Sequence, residues 1–285
     1  MPNSTAVIWG SEPLTFQLES SRPEVVRLAR KFFRFWLTNT ENCHLKFQVE
    51  PVEGKGWRLS TGALNEFFGE PEEAVKRAEF LAVKEYQAPR HELVTLHGAL
   101  LTKGEECLAI AGDYRTGKTT LAVELWQRGW TLQCDDLMIL QPGWGGVRPT
   151  PRRVCLRHSS QQFFPAYVWK QMTRSGGAQS TEEGWMFEPR EVETRITRYS
   201  GRLTGLVLLY QQAGRLQSIP ASDAMVELAP YTNLCGEGDQ WSAVQKLLPL
   251  SERIGACRLG RCPLGEQADL VESFMNSRRS GKSSS

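Results

Sequence analysis

Residues 112–119 read Gly-Asp-Tyr-Arg-Thr-Gly-Lys-Thr and fit the pattern G-x-x-x-x-G-K-[ST]. The glycines permit a loop whose backbone N–H groups all point inward at an anion. A helix must follow, so that the anion lies at the positive end of its dipole. The flanks supply both neighbours. Cys107 to Ala111 is a short apolar run that reads as a buried strand, and Lys118 to Arg128 has helical spacing closed by Gly129. A second apolar run, Thr131 to Cys134, comes next. Strand, glycine loop, helix and strand in succession predict a βαβ unit and an α/β fold. In such a loop Lys118 reaches the β- and γ-phosphates of ATP, and the Thr119 hydroxyl coordinates Mg²⁺. Gly112, Asp113, Tyr114, Arg115, Thr116, Gly117 and Thr120 complete the candidate nucleotide-binding set.

Two further features carry chemistry. Asp135 and Asp136 follow the Thr131 to Cys134 run directly. Phosphoryl transfer needs one acid to hold Mg²⁺ and often a second to take the proton of an acceptor hydroxyl, and two adjacent carboxylates at a strand end supply both. His97 stands in Leu96-His97-Gly98-Ala99-Leu100, fifteen residues before Gly112. In isolation it reads as a packed histidine; on a strand ending beside the phosphate loop it is aimed at the reacting groups.

The rest of the chain divides around this segment. Residues 1–90 read as a small N-terminal α/β domain. It has strand patterns at Leu14 to Leu18, His44 to Val52 and Trp57 to Leu59, the last two joined across Glu53-Gly54-Lys55-Gly56. Helical spacing covers Pro23 to Trp36, with Ser21 at its start, and Glu72 to Tyr86. Residues 91–275 read as a second, nucleotide-binding domain expected to carry the catalysis, with a strand at Leu93 to Leu101, a buried strand at Leu203 to Tyr210 and helices at Asp239 to Leu248 and Gly265 to Met275. Gly176-Gly177 reads as a mobile lid, and Arg148, Arg152, Arg153 and Arg157 as a basic cluster able to hold phosphates or an acidic peptide. Residues 276–285 contain only small, polar and basic side chains and read as a disordered tail.

Composition excludes other classes. Lys and Arg total 34 against 32 Asp and Glu, a net charge of +2, so no nucleic-acid partner is expected. No apolar run approaches the ~20 residues of a membrane span, and the N-terminal sequence lacks a secretory pattern, so no membrane partner and a cytoplasmic location are expected. The seven cysteines contain no C-x-x-C pair. Cys107 and Cys134 read as small buried hydrophobes, and Cys257 and Cys262 lack partners at metal-site spacing.

Taken in order, LHGALL, CLAIAGDYRTGKTT and ELWQRGWTLQCDD resemble the HPr kinase family across His97 to Asp136. That family has an HG-containing strand, a G-D-S-G-x-G-K-S-type loop, a helix ending in R-G and a strand ending in D-D. The resemblance implies a phosphate-loop kinase core acting on a serine hydroxyl with ATP and Mg²⁺. It matches His97 to the active-site histidine, Asp135 to the general base and Asp136 to the Mg²⁺-linked acid; the residues themselves leave the division between the two aspartates open. This chain departs from the pattern at Tyr114 and at Arg115, which replaces a loop glycine. Thr120 stands where the bifunctional enzymes carry glutamate, and their HPr-recognition signature has no counterpart here. The leading residues resemble the short N-terminal domain of smaller HPr-kinase-like proteins, some of which phosphorylate a serine on a precursor peptide. A kinase without phosphorylase activity is thereby implied, with a peptide or small-protein acceptor and a homo-oligomeric state. The alternatives are a nucleotide-dependent switch and a kinase of a small hydroxylated metabolite such as serine.

Overall fold

The computed structural model describes residues 5–11, 14–34, 36–40, 42–62, 64–88, 94–141, 146–150, 153–173, 178–180, 184–187, 201–233 and 240–282. The chain divides into two compact units, Met1–Ala88 with Thr150–Arg152, and Pro89–Pro149 with Arg153–Ser285. The Gly176-Gly177 lid and Arg152 fall outside the described residues.

The first unit is a five-stranded sheet carrying two helices. Its elements are β1 (Ala6–Ser11), β2 (Leu14–Glu19), α1 (Pro23–Phe32), β3 (Leu45–Val52), β4 (Gly56–Thr61), β5 (Leu64–Phe68) and α2 (Pro71–Gln87). The strands lie in sequence order, all antiparallel except β2 with β3, which α1 connects in parallel. The turn from β3 to β4 falls at Glu53–Lys55 and uses positive φ at Gly54 and Gly56. Trp9, Phe16, Phe33, Phe47 and Tyr86 fill the interior, with Trp9 stacked 4.1 Å from Phe33. Helix α1 stops at Phe32, short of Trp36, because the chain there pairs with β1 instead. Gly10 N–H donates to the Trp36 carbonyl at 3.0 Å, and Thr38 N–H to that of Ile8 at 3.1 Å. Ser21 does not cap α1; its hydroxyl donates to Glu50, and Arg22 occupies the cap position.

The second unit holds β6 (Val94–Lys103), β7 (Glu106–Gly112), α3 (Lys118–Gln127), β8 (Thr131–Cys134), β9 (Leu137–Gln141), β10 (Gly146–Pro149) and β11 (Val154–Arg157). After a 3₁₀ turn at His158–Phe163 come α4 (Ala166–Thr173), β12 (Gln179–Ser180), β13 (Gly184–Phe187), β14 (Gly201–Arg202), β15 (Gly205–Ala213) and β16 (Leu216–Ile219). Then follow α5 (Ala221–Leu228), β17 (Thr232–Asn233), α6 (Gln240–Leu247), β18 (Gly255–Arg261) and α7 (Leu264–Lys282). The main sheet runs β14-β10-β9-β6-β7-β15-β18-β16, with β8 and β17 also pairing with β6. Its centre, β7-β15-β18, is parallel, and β6 is antiparallel to β7. Strand β7 is buried along its whole length. Leu108 and Ile110 pack with α3 and α7 on one face, while Cys107, Ala109 and Ala111 pack with α5 and α6 on the other. Burial on both faces is why its sequence is an unbroken apolar run. A separate three-stranded sheet, β11-β13-β12, adds Val154, Leu156 and Phe187 to the α3 side.

The βαβ expectation is met with one change. β7, α3 and β8 follow in order, but β6 lies between the two strands and is antiparallel to both. The expected disordered tail is helical through Lys282. Val271, Phe274, Met275 and Arg278 share one stripe of α7, and the Arg278 side chain covers Gly255, where a Cβ would collide with it. A long arginine stem thus continues the packed face after the apolar residues end. Among the described residues the cysteines are unlinked, Cys107 and Cys134 are buried, and no helix is long and apolar enough to cross a membrane.

Candidate active site

Strand β6 organises the site because both strands flanking the helix pair with it. β8 pairs with its second half and β9 with its first half, so Asp135 and Asp136 fall at a break in one nearly continuous antiparallel edge. Asp136 takes φ +82°, a left-handed conformation costly for a non-glycine residue. Its carbonyl accepts the Gly98 N–H at 3.0 Å, which holds the break against the His97-Gly98 step. On the other side Gly98 faces Ala111, and Gly112 faces Leu209 of β15. His97, Asp135, Asp136 and Gly112 therefore come together at one level of the sheet.

The break separates the two aspartates. Asp135 is buried at 5% exposure and accepts the Thr119 hydroxyl, with its two oxygens 3.0 and 3.2 Å from Oγ1. Asp136 lies 3.0 Å from Nδ1 of His97, and both side chains reach solvent, at 26% and 37% exposure. The loop hydroxyl and the histidine thus have different aspartates as partners. Nothing in the local sequence encodes this division, which falls at the break where Asp136 takes its positive φ.

The loop is closed on itself. Gly112 at φ +144° leaves no room for a side chain, since a Cβ would sit 2.5 Å from the Leu209 carbonyl oxygen. Thr116 donates from both N and Oγ1 to the Asp113 carbonyl, at 3.3 and 2.8 Å. The Lys118 ammonium, 9% exposed, donates to the Gly112 and Asp113 carbonyls at 2.9 Å each. Burial pushes its pKa below the ordinary lysine value; Asp135 and Asp113 oppose the shift and the charge on Arg157 adds to it. Gly117 begins α3 at φ +99° with no side chain to cap the first turn. Thr120 shares a 3.1 Å hydrogen bond with Ser160. Arg115 occupies its loop position at φ +65°, a conformation glycine adopts more cheaply.

Two contacts come from outside the motif. The Tyr231 hydroxyl donates to Asp113 at 3.1 Å, and burial together with that carboxylate pushes its pKa up to about 12. The Arg157 guanidinium lies 4.6 Å from the centroid of the Tyr114 ring. Tyr231 gives no signal in the sequence, being 118 residues from its partner. It is brought there because β17, immediately after it, pairs with β6 at Leu96 and Thr95. Of the basic cluster, Arg153 is buried at 7% exposure, and Arg157 reaches the loop.

The donor set suits a hard divalent cation. Thr119 Oγ1 beside the Asp135 carboxylate offers oxygen ligands only, as Mg²⁺ prefers when phosphates supply the rest. Among the described residues no group of three or more His, Cys, Asp and Glu side chains forms an all-protein metal cage.

No family model and no curated protein matches the chain. Among solved structures it is similar to the Hpr(Ser) kinase/phosphatase from Coxiella burnetii. The two are 14% identical, over 66% of this chain and 98% of that one, with a TM-score of 0.36.

Proposed function

We propose that this chain is an ATP- and Mg²⁺-dependent kinase that transfers the γ-phosphoryl group to a Ser or Thr hydroxyl of a peptide or small protein. The observation that carries the reading is the convergence of the loop, Lys118, Thr119, Asp135 and the His97–Asp136 pair at one level of the sheet. In this reading Lys118 exchanges its two loop carbonyls for phosphate oxygens. Thr119 and Asp135 hold the cation, which when bound neutralises charge on the β- and γ-phosphates. Asp136, oriented by His97 and open to solvent, takes the proton of the acceptor hydroxyl as the phosphoryl group transfers in line. These roles reverse those the resemblance implied for the two aspartates. Thr120 is engaged by Ser160 and carries no carboxylate, which supports a kinase without phosphorylase activity.

The test is transfer of labelled γ-phosphate from ATP to a pool of serine-containing peptides by two variants. Asp136→Asn is expected to lower transfer by about 10²-fold or more while leaving MgATP affinity within about twofold. Asp135→Asn is expected to raise the Mg²⁺ concentration needed for half-maximal transfer. The opposite pattern, with Asp135→Asn abolishing transfer at unchanged Mg²⁺ dependence, would restore the order the resemblance implied.

A further inference from the structure

Three cationic groups surround the phosphate loop where its motif calls for one. Lys118 is buried beneath the loop. Arg157, the last residue of β11, lies 4.6 Å from the Tyr114 ring centroid, and Arg115 lies 5.3 Å from the same ring. Tyr114 is 65% exposed, so its ring stands out from the loop as a platform. Its backbone is fixed by Gln211, whose amide donates to the Tyr114 carbonyl at 3.3 Å. Among the described residues neither arginine forms an ion pair with a carboxylate. The Thr120–Ser160 bond ties the segment just after Arg157 to the first turn of α3, so Arg157 is anchored beside the loop from two directions. Like charges gathered this closely repel, and the arrangement is relieved when a polyanion enters among them.

We propose that Arg157 is a further catalytic residue of this site, held in reserve on Tyr114 and delivered to the γ-phosphate oxygens of a bound nucleoside triphosphate. A planar guanidinium fits two phosphate oxygens at once and cannot lose its proton, which suits it to charge that develops during transfer. Resting on an aromatic face keeps it near the loop without the carboxylate that would have to be displaced. Tyr114 and Arg115, the two departures from the loop pattern, then have a shared purpose: they build the resting place. The inference rests on the nucleotide reading given above and assigns a task to Arg157, a residue of the basic cluster that touches the loop.

The experiment is calorimetric titration of the full chain with Mg²⁺ and either AMP-PNP or ADP, for wild type, Arg157→Ala and Arg157→Lys. Arg157→Ala is expected to lose about tenfold or more in AMP-PNP affinity while ADP affinity stays within about twofold, because only AMP-PNP carries the γ-phosphate. Arg157→Lys, which preserves charge and fold but not the fork, is expected to recover only part of the loss. Equal losses for both nucleotides, or none for either, would overturn the role of Arg157 while leaving the nucleotide site standing. A wild type that binds neither nucleotide would overturn the nucleotide reading and this inference together.

Discussion

Lys118 is an ammonium group that the fold buries and then answers with two backbone carbonyls. Its folded pKa lies below the ordinary 10.5, so the unfolded chain binds more protons in the window just beneath that value. The penalty for burying the charge is present at neutral pH and fades as pH rises through the lowered folded pKa. Urea unfolding of wild type and Lys118→Met should therefore show the difference moving in favour of wild type between neutral pH and 10.5. A constant difference would mean that the amine titrates alike in both states. At this scale the sequence was informative wherever chemistry is encoded by spacing. Lys118 follows its loop, and Thr119 and Asp135 stand one helix apart and meet at 3.0 Å. It was silent on Tyr231, which a 3₁₀ turn just before β17 carries to the loop, and on which aspartate meets which partner, since the two part at a break where Asp136 takes φ +82°.

Among the elements, β6 bears the most weight, and Gly98 is where it is least tolerant. A Cβ there would press against the Ile110 carbonyl oxygen, a backbone atom that cannot swing aside. Gly98→Ala should cost about 1–3 kcal/mol of stability, read as a lowered urea midpoint, and should shift the His97 step away from Asp136. Alanine at unchanged stability would show that β6 and β7 can part without cost. Periodicity located α2 and β3, which bury one face each, and unbroken apolar runs located β7 and β15, which are buried on both. It did not say that β6 would lie between β7 and β8, since an apolar run records burial and not the identity of its neighbour. Nor did composition identify the end of α7, where the arginine stem at position 278 replaces an apolar side chain.

At the scale of the whole molecule the two units have interiors of different kinds. The first closes around stacked aromatics, Trp9 foremost, and the second buries both faces of a large mixed sheet. Every residue assigned to the site belongs to the second unit. Trp9→Ala should cost about 3–5 kcal/mol. In scanning calorimetry MgATP should still raise the unfolding temperature of the second unit in that variant. Loss of the ligand-induced shift would mean that the site depends on the first interior. The measurement that bears most directly on the whole account is calorimetric titration of MgATP into wild type and Lys118→Met. One MgATP is expected to bind per wild-type chain, with an affinity lower by about tenfold or more in the variant. A wild type that binds no MgATP, or a variant that binds it equally well, would contradict the claim that residues 112–119 cradle a nucleotide's phosphates.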